Sequence, residues 1–399
     1  MMLIRMQNFS WAYVGVAILL LGGCKPHGTR DNTDTQQSET QPPPAAAFPS
    51  NADAITQLSP LGKIEGVAAL EDLPAELNPE PFSEAITYAK NTDSYALLIW
   101  QAGALRVEKY FDGYDASLKP NSASMHKSVA GLLVSAALAD GVIDNINTPI
   151  KTYVHEWKND PRGDIRVVDL LTMTSGLEGL SFAGGPSSPG ARYVTNGANA
   201  RKATLSMKLE HRPGSTFQYV NAVTQILVMV LEEATGKPYS EYLSERLWKP
   251  MGGDDAYVWL NEPDGFARGY SALLARAQDW VKLGLLYKDL GRINAQQIIP
   301  SEIMAQATAP SQQNVNYGWQ IWRGQEYRPK RYYNSAKAGI AVSATAPFAV
   351  DDLLFFDGFG GQRVYISREK DLVIVRLGET RLDWDDAVLP NLVLEALDD

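Results

Sequence analysis

Strand-type residues stand at both ends of the body of this chain, and helical periodicity fills the space between them. Tyr95–Gln101 and Ala104–Phe111 are apolar, β-prone runs around a Gly-containing turn, the pattern of a hairpin. Strand patterns return only after Tyr317, as Tyr317–Trp322, Leu353–Phe356, Gln362–Ser367 and Asp371–Leu377. The last two form a hairpin around Arg368-Glu369-Lys370, and Leu389–Leu397 reads as a closing helix. Strands at both ends with helices between them predict one sheet built from both termini and covered by helices. The fold class is therefore α/β, one sheet covered by helices.

Three helices carry the clearest signals. Over Asn121–Ala139, Val129, Leu132, Leu133 and Ala136 recur at i, i+3, i+4, i+7, and Gly141 closes the run. Ala222–Thr235 is expected to be capped by Asn221 and stopped by Gly236 and Pro238. Ala272–Leu290 ends at Gly291.

The N-terminus has a different character. Arg5 precedes an apolar stretch, Trp11 to Leu21, too short for a comfortable membrane span, and small residues follow it. This is the pattern of an export signal, assigned to residues 1–23. Residues 24–58 are polar, rich in Gln, Thr and Pro, and unable to bury enough surface to offset their ordering entropy, so they read as a flexible tether. The folded body then spans residues 59–399. A net charge of −10 without a long Lys/Arg run argues against nucleic acid as a partner. One Cys excludes an internal disulfide and a Cys-based metal cluster, and four scattered His argue against a zinc hydrolase. Neither a metal nor a cofactor is expected.

The chemistry narrows to one constellation. There is no G-x-S-x-G, H-E-x-x-H, P-loop or dinucleotide glycine pattern. Ser124-Met125-His126-Lys127 is an S-x-x-K tetrad in the first turns of the Asn121–Ala139 helix. Residues i and i+3 share a helical face, so the hydroxyl and the ammonium can meet. Free N–H groups and the dipole at a helix N-terminus favour an oxyanion at the attacked carbonyl. A sheltered Lys127 would lose part of its preference for charge and accept the Ser124 proton. Ser367-Arg368-Glu369-Lys370 repeats the tetrad in a hairpin turn, where both side chains should be solvated. Tyr219-Val220-Asn221, ahead of a helix, has a counterpart in Tyr332-Tyr333-Asn334 within an Arg-rich loop. His126 is expected to pack or hydrogen-bond, and His211 to be exposed. The Gly-rich 177–199 stretch reads as either a pocket wall carrying Tyr193 or a surface loop. Trp322 is assigned to the core, and Trp319 and Tyr270 to core or pocket.

Taken in order, these motifs resemble the β-lactamase-like serine hydrolases, which include class C β-lactamases, D-alanyl-D-alanine carboxypeptidases, family VIII esterases and 6-aminohexanoate-dimer hydrolases. The likeness covers roughly Tyr95 to Gly378 and implies an α/β (α+β) fold, an antiparallel sheet built from both chain ends and flanked by helices, with an inserted, mostly helical domain over roughly residues 142–315 and the active site between them. It includes Leu170–Leu177, Pro213–Asn221, Gly236–Tyr239, Phe266–Tyr270 and Gly358–Gln362. The last two segments look closest to the aminohexanoate-dimer hydrolase and esterase branch. The resemblance implies Ser124 as nucleophile, Lys127 as its base or relay, and Tyr219 as the shuttle to the leaving group, with the first base left open between Lys127 and Tyr219. It also implies Asn221 as a positioner of Lys127 and substrate, and the N–H groups of Ser124 and Phe359 as the oxyanion hole. Leu21-Gly22-Gly23-Cys24 likewise resembles a bacterial lipobox. That implies lipidation at Cys24, contact with the membrane through the lipid only, and an outer-membrane anchor facing the periplasm.

Where relatives place Lys-Thr-Gly to receive a substrate carboxylate, this chain has Phe356-Asp357-Gly358. Asp357, with Gly358 and Gly360, is expected to border the substrate and to repel a carboxylate. Met173 stands where relatives often carry His. Three readings follow: a serine hydrolase of small neutral or amine-bearing esters or amides; a D-alanyl-D-alanine carboxypeptidase or β-lactamase; and a non-enzymatic envelope lipoprotein. The small-molecule ester or amide is the expected partner, and the sequence leaves the oligomeric state open.

Overall fold

The computed structural model describes residues 58–61, 73–179, 200–260, 265–293, 295–337 and 341–398. The export signal, Cys24, most of the tether and Tyr193 lie outside them. Strand β1 (Leu58–Leu61) already includes the residue assigned to the end of the tether. Then follow α1 (Ser83–Asn91), β2 (Ser94–Gln101), β3 (Ala104–Tyr110), a 3-10 turn (Ala123–Met125) and α2 (His126–Ala139). Next are α3 (Val167–Leu171), α4 (Ala200–Leu205), α5 (Asn221–Thr235), α6 (Tyr239–Leu243), β4 (Ala256–Trp259), β5 (Leu273–Leu274) and α7 (Ala277–Lys288). After the short pair β6 (Arg292–Ile293) and β7 (Gln296–Gln297) come α8 (Ser301–Thr308), β8 (Trp322–Arg323), β9 (Lys330–Tyr332) and β10 (Ala341–Ser343). The chain closes with β11 (Leu354–Gly358), β12 (Gln362–Ser367), β13 (Leu372–Gly378) and α9 (Val388–Asp398).

The main sheet has six antiparallel strands in the order β3-β2-β13-β12-β11-β8, so both chain ends build it. The β2–β3 hairpin turns through Ala102 and Gly103, both at positive φ, the backbone that a tight right-twisted hairpin requires. Side chains alternate across the sheet, and the alternation separates its two faces. Val364, Val373 and Phe356 meet α7: a Cβ on Gly284 would stand 2.5 Å from Val373, and Phe356 packs edge-on to Trp280 and Tyr287. Arg363, Tyr365 and Arg376 belong to the opposite face, where Trp384 and Tyr88 lie. Both faces are covered, which explains why β11, β12 and β13 are buried along their whole length.

Several elements differ from their sequence expectation. The helix expected over 272–290 starts only at Ala277, because Leu273–Leu274 pair with β4 first. The strand expected over 317–322 shrinks to Trp322–Arg323, with Tyr317 bridging back to Trp322. Asn221 is not the cap of α5. Val220, in extended conformation, holds that position, and no side chain caps the helix.

Candidate active site

The site starts from a strained turn. Ser122 donates to the Leu273 carbonyl at 3.4 Å, Asn121 bridges Leu274, and the Asn121 carboxamide accepts from the Ala123 N–H at 2.8 Å. Ala123 is thereby held at φ 49°, a region a non-glycine residue rarely visits. The 3-10 turn of residues 123–125 follows, and the α-helix begins at His126, so Ser124 precedes the helix and is not in its first turn. Ser124 stays partly exposed while Met125, His126 and Lys127 are buried.

The Lys127 ammonium is 1% exposed and donates to Ser124 Oγ at 2.9 Å and to the Tyr270 carbonyl at 2.7 Å. Its Nζ also lies 4.9 Å from the centre of the Tyr219 ring. Burial pushes its pKa down to about 7, opposed by the charge of Asp357. Tyr219 reaches Ser124 from another side through its phenol, and its N–H donates to the Tyr333 carbonyl at 2.8 Å. Burial, Asp357 and Tyr333 raise the Tyr219 pKa well above its usual value, so the phenol keeps its proton. One hydroxyl therefore meets an amine able to shed its proton at neutral pH and a phenol that stays protonated.

His126 packs behind this pair. Its Nδ1 lies 3.0 Å from the Ser271 carbonyl and its Nε2 3.1 Å from the Tyr239 hydroxyl. Burial drives its pKa down to about 4, so Nδ1 donates and Nε2 accepts. Consecutive helix residues, His126 and Lys127, thus grip consecutive carbonyls, Ser271 and Tyr270.

Asp357 requires a correction. Its side chain is buried, and its carboxylate accepts from Arg331 Nη1 at 3.0 Å and from the Tyr333 hydroxyl at 2.8 Å. Arg363 Nη1 lies 2.7 Å from its other oxygen. Burial alone would raise its pKa, but the two guanidiniums override that and hold it down at about 2. Arg331 and Arg363 both also pair with Asp386, at 2.8 and 2.7 Å, closing a ring of alternating charges. The two guanidiniums offset much of its charge, so the repulsion expected of a free carboxylate at this place is weakened. Phe356 faces α7, so no cation stands there in place of the Lys.

Tyr333 is a wall of the site and not the surface-loop residue expected. Its ring centre is 5.1 Å from that of Tyr219, and Trp322 backs both, at 5.6 Å from Tyr219 and 5.9 Å from Tyr333. The sequence signal was present in the Tyr332-Tyr333-Asn334 echo, but nothing local tied it to Tyr219. Among the described residues the Asn221 side chain forms no hydrogen bond, and the Tyr270 carbonyl holds Lys127 instead. The duplicate tetrad is structural. Ser367 is buried with its hydroxyl on Asp352 at 2.7 Å, and Lys370 pairs with Asp398 at 2.5 Å. His211 is exposed and Trp319, Trp322 and Tyr270 are buried, with Tyr270 contributing its carbonyl. Met173, buried at φ 56°, accepts the Gln218 N–H at its carbonyl and steadies the approach to Tyr219.

Gly358 ends β11 against the turn that carries Ser124. A Cβ there would stand 2.5 Å from the Ser122 carbonyl and 3.0 Å from Met125. Phe359 follows it, 38% exposed. Gly360 and Gly361, at φ 75° and 90°, lie so close to Thr380 and Trp384 that neither could carry a side chain.

Residues 80–398 match the β-lactamase family model. The chain belongs to the β-lactamase family. It is 27% identical over 260 residues to the 6-aminohexanoate-dimer hydrolase of Paenarthrobacter ureafaciens, covering 62% of each chain, so it spans under two thirds of that relative. It is 28% identical over 145 residues to a D-alanyl-D-alanine-carboxypeptidase/endopeptidase of Escherichia coli, covering 36% of this chain and 37% of that one. In three dimensions it resembles a Bacillus anthracis protein taken to be a 6-aminohexanoate-dimer hydrolase. That match has a TM-score of 0.70 at 20% identity and covers 87% of this chain and 90% of the other.

Proposed function

We propose that this protein is a serine hydrolase that forms an acyl-enzyme on Ser124 and hydrolyses small carboxylic esters or amides. The observation that carries the reading is the 2.9 Å bond between Ser124 Oγ and a buried Lys127 that is half-deprotonated near pH 7. Neutral Lys127 takes the hydroxyl proton as Oγ bonds to the substrate carbonyl carbon. The carbonyl π electrons move onto oxygen, which the N–H groups of Ser124 and Phe359 receive. Collapse of this intermediate expels the alcohol or amine, protonated through Tyr219, whose own proton is replaced from Lys127. Water then repeats the sequence on the acyl-enzyme and frees the acid. The high pKa of Tyr219 favours Lys127 as first base.

The relative named 6-aminohexanoate-dimer hydrolase supports an amide among the substrates. The carboxypeptidase relative supports the second reading, D-alanyl-D-alanine trimming, but Phe356 beneath α7 leaves no cation at the place of the missing Lys to receive a terminal carboxylate. The test is incubation of the full chain with a p-nitrophenyl ester, a linear amide, nitrocefin and a D-Ala-D-Ala peptide, beside Ser124→Ala. Ester or amide turnover lost in the variant, with an acyl adduct on the wild type by mass, is the expected result. Turnover unchanged by Ser124→Ala would overturn the reading. Export and lipidation at Cys24 are part of the proposal on sequence grounds, and radiolabelled palmitate incorporated by wild type but not by Cys24→Ser is the expected outcome.

A further inference from the structure

The 358–361 turn beside Ser124 is held from beneath by two buried arginines. Arg363 is 1% exposed, and its Nη1 donates to the Gly358 carbonyl at 2.6 Å and to the Gln362 carbonyl at 2.8 Å. Its Nε and Nη2 are fixed by Asp386 at 2.9 and 2.7 Å, and Asp357 lies 2.7 Å from Nη1. The guanidinium therefore has no rotational freedom left. Arg376, also buried, makes a longer contact of 3.4 Å to the Gly360 carbonyl, while its Nη2 donates to the Thr92 carbonyl at 2.6 Å. The Gly360 carbonyl also accepts from the Arg381 N–H at 3.0 Å.

Pinning the Gly358 carbonyl has a consequence one bond away. The Gly358–Phe359 peptide is trans, and in a trans peptide the C=O and N–H point in opposite directions. With the carbonyl tied to the Arg363 guanidinium, the Phe359 N–H is turned away from that guanidinium. Gly358 itself packs on Ser122 and Met125, the residues that bracket the Ser124 turn.

We propose that Arg363 is a positioning residue for the hydrolytic reaction: held by Asp357 and Asp386, it fixes the Gly358 carbonyl and thereby aims the Phe359 N–H at the substrate oxygen. The charge ring is then a rigid mount for one hydrogen-bond donor. This inference rests on the acyl-enzyme reading above. It requires no acid or base of Arg363 and no contact with substrate.

Replacing the substrate carbonyl oxygen by sulfur separates a positioning role from a purely structural one, because a hole built to hydrogen-bond oxygen discriminates against the larger, weaker acceptor. The full-length wild type and Arg363→Lys are compared on an ester and its thionoester with the same leaving group. The wild type is expected to prefer the ester. In Arg363→Lys, kcat on the ester falls about 10- to 100-fold with little change in KM, in line with the loss of an oxyanion donor, and the ester preference falls by at least about tenfold. Arg331→Lys weakens the same ring but leaves the Arg363–Gly358 bond, so it lowers the melting temperature while keeping the ester preference. If Arg363→Lys does not fold, Arg363→Met/Asp386→Asn carries the test, because it removes one cation and one anion together and leaves Arg331 paired with Asp357. A folded Arg363 variant with the ester preference of the wild type would overturn the inference. A wild type whose ester turnover does not depend on Ser124 would instead refute the underlying reading.

Discussion

At the residue scale the site is a balance between burial and one distant charge. Removing water from Lys127 lowers its pKa to about 7, and Asp357 partly restores it. In the proposed mechanism the neutral amine accepts the Ser124 proton, so kcat/KM is expected to rise with pH through about 7 and then level, which a pH–rate profile reads directly. Lys127→Arg keeps the cation but cannot lose it, and acylation should fall by at least about a thousandfold by burst kinetics. Asp357→Asn removes the charge that supports the protonated amine. The limb of the profile should therefore move to lower pH, while uncompensated Arg331 and Arg363 lower stability by on the order of 3 kcal/mol in chemical denaturation. A limb that stays in place or moves to higher pH would show that Asp357 does not act on Lys127. The S-x-x-K spacing made the Ser124–Lys127 contact legible in the sequence. The neutral state of Asp357's surroundings was not legible, because Arg331, Arg363 and Asp386 come from three separate segments.

At the element scale α2 carries the chemistry by what it packs against. Gly131 lets the helix lie flush on the 319–320 segment: a Cβ there would meet the Trp319 carbonyl at 2.7 Å, and Ser128 donates to the Gln320 carbonyl at 2.7 Å. Gly131→Ala gains helix propensity but overpacks this seam, and a net loss of about 1–2 kcal/mol is expected by denaturation. His126 adds a pH term. Its pKa falls from 6.5 unfolded to about 4 folded, so the unfolded chain binds the extra proton between those values. Stability is thus full above about pH 6.5 and is lost as pH falls toward 4, by roughly 3 kcal/mol in all. His126→Gln should flatten that slope in pH-dependent melts. Helical periodicity located α2, α5 and α7 to within a few residues. The first turn expected for α7 gave way to β5 and that expected for α2 to the 3-10 turn at Ala123–Met125, while α5 begins one residue earlier than expected, at Asn221.

At the scale of the whole molecule the sheet joins residues far apart in the chain. β2 pairs with β13 in register from Gln101↔Leu372 to Leu97↔Arg376, and within the sheet β13 is the strand that lies between the N-terminal hairpin and β12. A chain ending at Ser367 should therefore lose cooperative unfolding and hydrolysis together, and a melting transition like that of the full chain would contradict this account of the sheet. The alternation of apolar residues, the turn at Ala102-Gly103 and the order of the motifs determined on their own that strands from both ends flank a helical middle, because these are local preferences summed along the chain. Spacing together with motif order also pointed to Ser124 and Lys127 as the pair that meets, since an i,i+3 contact is a local property. Tertiary structure alone decided that Tyr333 stands beside Tyr219, that the Tyr270 carbonyl and not Asn221 holds Lys127, and that Asp357 is ion-paired with Arg331 and Arg363. Each of these depends on segments separated by tens to hundreds of residues, and a side chain's sequence neighbours do not specify the charge or the solvent it meets once the sheet has closed.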